Sequence, residues 1–191
     1  KASPNPGDLK NLIATYSLSY SLALRESSGN FSEGRDLSAQ NTTLLTEEAG
    51  AFQVSSNILD PERSVPRSDP EGVLARRQVF LQYLKALSSP QALGSSGDSG
   101  RVAICDIRQR SEMPPGNRPA QAMLADLRAS FAANGACARL AQDAATSGPN
   151  ALGKITEDRG RCFMALQKAC PSFAVKFNTV SVRTRASHFG P

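Results

Sequence analysis

Apolar residues return at steps of three and four near the start of the chain: Leu9, Leu12, Ile13, Tyr16, Tyr20, Ala23 and Leu24. This spacing predicts an amphipathic helix from Asp8 to about Arg25, with Asp8 as its cap. At about 100° per residue, Glu26 falls at the edge of that apolar stripe, where the core gives way to a groove. From Ser27 to about Pro70 the helical period is lost and Ser, Asn, Gly, Asp and Thr dominate, around the apolar island Ala51-Phe52-Gln53-Val54. The segment reads as a long irregular loop with room for a small hairpin. A compact domain seldom carries such a stretch unless it is disordered or functional, and its regularly placed apolar residues favour function.

Further along, Asp69 as cap, Pro70 at the first helical position and the face Val73, Leu74, Arg77, Phe80, Leu81 and Leu84 predict a second helix, expected to pack on the first. Ser88 to Gly100, rich in Ser and Gly, reads as a flexible connection. Pro119 opens a segment through Met123, Leu124, Leu127 and Phe131 that stops at Gly135. A shorter helix to Thr146 follows, then the turn Ser147-Gly148-Pro149-Asn150. Another helix is predicted from about Asp158 to Ala169, and Pro171 begins a last one through Phe173, Phe177 and Val180. The pattern is mainly α, and at 191 residues with 40% apolar content it suits one domain spanning 1–191.

No run approaches the ~20 consecutive apolar residues of a membrane span, and Lys1-Ala2-Ser3-Pro4 lacks the layout of a signal peptide, so no membrane insertion is expected. The four cysteines, Cys105, Cys137, Cys162 and Cys170, permit two disulfides in an oxidising compartment, with three pairings open. A secreted or periplasmic location is the corresponding expectation. No CxxC pair occurs and His188 is the only histidine, which argues against a thiolate or imidazole metal cage. A formal charge of +5 favours anionic partners without choosing one. There is no tryptophan and no basic stripe interleaved with aromatics, so nucleic acid is not an expected partner. No phosphate-binding loop, dinucleotide fingerprint or Gly-x-Ser-x-Gly elbow is present.

Two segments carry the candidate chemistry: Leu24-Arg25-Glu26-Ser27-Ser28-Gly29-Asn30 at the end of the first helix, and Glu48-Ala49-Gly50-Ala51-Phe52-Gln53-Val54-Ser55 within the loop. Here the chain resembles the lysozyme-like superfamily, specifically goose-type lysozymes and soluble lytic transglycosylases. In those enzymes a helix ends in a Glu-Ser pair whose glutamate is the catalytic acid, and a Gly-(small or Leu)-(Met or Phe)-Gln segment lines the sugar cleft. The resemblance covers about a sixth of the chain. It implies an α+β lysozyme-like fold, a helical bundle around a catalytic helix with the loop or hairpin forming a glycan cleft. It also implies Glu26 as catalytic acid, with Gly50, Phe52 and Gln53 framing the cleft. Ala51 stands where Leu is usual and Phe52 where Met is usual.

The chemistry fits such a role. Cleaving a glycosidic bond needs a proton on a poor leaving group, and a Glu at its ordinary value of about 4.3 is ionised at neutral pH unless an apolar groove raises it. A second carboxylate sets the course, since a separation near ~5 Å implies a retaining route and ~6.5–9.5 Å leaves room for water. Asp36, Glu47 and Glu48 are the candidates, Asp36 beside Arg35. Ser27, Ser55, Ser56 and Asn57 are candidate sugar ligands, and Tyr20 or Phe52 a stacking face. His188 reads as a surface or packing residue. The expected activity is a glycoside hydrolase acting on peptidoglycan, chitin or a related glycan as a monomer, without metal or organic cofactor. A lytic transglycosylase and a non-catalytic glycan-binding module on the same scaffold are the alternatives.

Overall fold

A computed structural model describes residues 6–27, 49–60, 70–89, 92–93, 105, 121–147, 152 and 157–184. Asp36, Glu47, Glu48, Asp69, Pro119 and His188 lie outside them. The described residues form six α-helices: α1 (Pro6–Ser27), α2 (Pro70–Leu87), α3 (Gln121–Phe131), α4 (Ala136–Ser147), α5 (Glu157–Ala169) and α6 (Pro171–Thr184). A 3₁₀ turn, Ser56–Leu59, lies between α1 and α2 along the chain. The expectation of a mainly α chain holds. The only strand-like pairing among the described residues is an isolated antiparallel bridge between Ala49 and Val54.

The core is organised by aromatic rings. Phe173 of α6 lies 5.9 Å from Phe80 of α2, 5.2 Å from Tyr83, 5.7 Å from Phe163 of α5 and 5.4 Å from Phe177, centroid to centroid. The pairs with Tyr83 and Phe163 are edge-to-face, as is Phe163–Phe177, so that a positive ring edge meets a negative face. Around them Leu59, Leu84, Leu124, Leu127, Leu152 and Leu166 complete one buried cluster drawn from every helix except α1 and α6's outer face. Two disulfides, Cys105–Cys170 and Cys137–Cys162, select one of the three pairings that the sequence left open. The first holds position 105 to the junction of α5 and α6, and the second joins α4 to α5.

Two expectations about packing are corrected. Of the apolar stripe predicted for the first helix, Ile13, Tyr20 and Leu24 are 57%, 58% and 45% exposed, whereas Ala23 is buried. Among the α1 side chains the structure describes, the buried ones are Ser19, Ala23 and Ser27, four residues apart along one face. Small side chains let the two backbones come close, and α1 packs on α6 through Ala23 and Ala174. The second helix, expected on the first, instead has α6 as its main partner, with further contacts to α4 and the 3₁₀ turn. Both helices therefore lean principally on α6. Leu74, placed on the inner face by its spacing, is 46% exposed, whereas Arg77 on that face is buried, as is Arg76 beside it.

Candidate functional site

The site is built where the end of α1 meets the loop segment Ala49–Val54. Glu26 belongs to the last turn of α1, one residue before Ser27; its side chain lies outside the described residues. The hydroxyl of Ser27 stands 2.8 Å from the carbonyl oxygen of Ala51 and 3.1 Å from that of Ala23. A hydroxyl has one proton to donate, so the shorter contact to Ala51 is the stronger claimant. This bond crosses 24 residues of sequence. It joins the two motif-bearing segments directly.

The loop segment is a tight turn closed by its own backbone. Val54 N–H donates to Ala49 O and Gln53 N–H donates to Gly50 O. The Gln53 amide nitrogen adds a second bond to Gly50 O at 2.9 Å. Gly50 has φ +74° and Gln53 φ +44°, both in the left-handed region. At Gly50 a side chain is excluded for a second reason: a Cβ there would stand 2.7 Å from the carbonyl oxygen of Gln167 on α5. Glycine permits both the turn and the close approach. Ala51 and Phe52 then drop into a small second core with Ala23 of α1 and Ala174 of α6.

Beyond the turn, Ser55 caps the 3₁₀ turn from an extended backbone, and its hydroxyl donates to Asn57 Oδ1 at 2.6 Å. The 3₁₀ turn is anchored from α2 by buried guanidinium groups. Arg76 Nε donates to Ile58 O and Arg77 Nε to Leu59 O. Burial pulls the Arg77 guanidinium below its ordinary value, and the buried Asp60 carboxylate opposes that fall.

Of the residues singled out from sequence, the fold brings together Ser27, Gly50, Phe52 and Gln53, with Ser55 and Asn57 at the following turn. Their roles differ from those expected in three cases. Ser27 is buried and its hydroxyl is committed to the backbone tie. Phe52 is 5% exposed, so its ring fills the core rather than offering a stacking face. Ser55 is buried and bonded to Asn57, whose own side chain is half-buried. Tyr20 is an exposed ring almost two helical turns before Ser27.

Sequence reasoning did not select Gln167 and Ala174, which back the Gly50–Gln53 turn, or Arg76 and Asp60 at the 3₁₀ turn. Gln167 is 1% exposed, and among the described residues neither atom of its side-chain amide has a hydrogen-bond partner. Burying an amide in this way costs about 1–3 kcal/mol. Nothing in the periodicity of α5 distinguishes Gln167 from an ordinary surface glutamine. No group of three or more His, Cys, Asp or Glu among the described residues could hold a metal ion, and no helix there is long and apolar enough to cross a membrane. No family model, no curated protein and no solved structure matches the chain.

Proposed function

We propose that the protein is a glycoside hydrolase of lysozyme-like type, exported to an oxidising compartment, that cleaves a polysaccharide backbone with Glu26 as general acid. The observation that carries this reading is the Ser27–Ala51 hydrogen bond. It fastens the helix turn bearing Glu26 to the Gly50–Gln53 turn, the two pieces whose order along the chain resembles goose-type lysozymes and lytic transglycosylases. In this reading Glu26 protonates the departing sugar oxygen, and Gln53 and Asn57, both half-buried, offer amide groups to sugar hydroxyls. Ser27 acts as a positioning residue, because its hydroxyl fixes the last helical turn and leaves no proton for a ligand. The disulfides Cys105–Cys170 and Cys137–Cys162 support export, since such bonds persist in oxidising compartments.

The experiment is a digest of a polysaccharide panel, including peptidoglycan and chitin, scored for new reducing ends and by mass spectrometry of the fragments. New reducing ends on at least one polymer are expected. Fragments ending in anhydro sugars would reassign the chemistry to a transglycosylase. Tight oligosaccharide binding with no cleavage across pH ~4–8 would overturn the enzymatic reading in favour of a binding module.

A further inference from the structure

A cavity of about 540 Å³ lies among α3, α4 and α5, within the size range of small-molecule sites. Its apolar lining includes Met123 of α3 and Met164 of α5, and methionine adapts readily to varied apolar ligands. Four charged side chains line it. Two of them are committed within the protein: Arg139 forms a two-pronged pair with Asp158 at 2.8 and 2.6 Å, and Arg161 reaches Glu157 at 3.3 Å. The other two are Asp126, from α3, and Lys168, from α5. Among the described residues neither charged group has an ion-pair or hydrogen-bond partner, and they do not reach each other.

One carboxylate and one ammonium, on different helices, therefore border the same cavity beside its methionines. The complement is a molecule with both charges and an apolar body between or beside them. We propose that this cavity binds a short zwitterionic peptide, of dipeptide size and with apolar side chains. Its free amino group pairs with Asp126, its terminal carboxylate pairs with Lys168, and a side chain rests on Met123 and Met164. A purely anionic ligand would leave Asp126 opposing it, and a purely cationic one would meet Lys168 and the two arginines. The inference is independent of the glycan reading, since none of these residues belongs to the Ser27–Gly50 site.

Backbone amide shifts of the full chain, titrated with leucyl-leucine, N-acetyl-leucyl-leucine and leucyl-leucinamide, test it. Leucyl-leucine is expected to shift amides of α3 and α5 around the cavity, and capping either end to weaken binding by about tenfold or more. Asp126→Asn is expected to erase the penalty of the acetyl cap alone, and Lys168→Met that of the amide cap alone. Equal binding of all three peptides would show a merely apolar cleft and overturn the proposal. So would preference for the acetylated form, which would mark a simple anion site, and so would no binding at millimolar peptide. The capping series uses the unaltered protein, so the outcome does not depend on either variant folding.

Discussion

Gly50 bears two constraints at once, a left-handed backbone and the carbonyl of Gln167 where its Cβ would be. Gly50→Ala must either distort the turn or push α5 away, and is expected to destabilise the protein by about 1–3 kcal/mol. Urea unfolding measures this, and a midpoint equal to that of the unaltered protein would contradict the close approach. Asp158 makes a different prediction. Its hydrogen bonds from Arg139 hold its carboxyl below the usual carboxylate range. A carboxylate depressed in the folded state adds stability that is fully present above its unfolded value, about 3.9, and is lost as pH falls through the lower folded value. Arg139→Gln should therefore lower stability by a constant amount above about pH 5, with the difference from the unaltered protein shrinking as pH falls below about 4. Thermal midpoints across that window check the sign.

At the scale of the helices, periodicity reported existence and extent well. Pro70 starts α2, and Pro171 starts α6 as its fixed φ and missing N–H suit a first helical position. Phase was legible only in part. A hydrophobic stripe marks a buried face when burial is driven by large side chains, but α1 meets α6 through the small pair Ala23 and Ala174 while Tyr20 and Leu24 stay exposed. Arg76 illustrates the same limit, being buried beside Arg77 because two carbonyls of the 3₁₀ turn accept the hydrogen bonds of the pair. The α2–α5–α6 junction depends on Phe173, which touches four other rings. Phe173→Ala is expected to cost about 3–5 kcal/mol, read from chemical denaturation. A loss below about 1 kcal/mol would mean that the aromatic cluster is not the principal packing unit.

Over the whole molecule the disulfides close loops of different length, 65 and 25 residues. Constraint of the unfolded chain gives about 4.3 kcal/mol for Cys105–Cys170 and about 3.5 kcal/mol for Cys137–Cys162. Replacing Cys105 and Cys170 by Ala should accordingly lower stability at least as much as the same change at Cys137 and Cys162, as measured by paired urea titrations. The pairing itself could not be read from four cysteines, because it depends on how α4, α5 and α6 pack. The candidate site was legible as two short segments, Glu26-Ser27 and Gly50–Gln53, whose juxtaposition needs a contact across 24 residues that no local pattern encodes. The backing from Gln167 and Ala174 was illegible for the same reason. The account rests on Glu26 giving up a proton beside the Gly50–Gln53 turn. Replacing Glu26 by Gln keeps the shape and removes only that proton, so release of reducing ends from any polysaccharide the unaltered protein cleaves is the direct measurement. A fall of about 10²-fold or more is expected, whereas turnover equal to that of the unaltered protein would contradict the account.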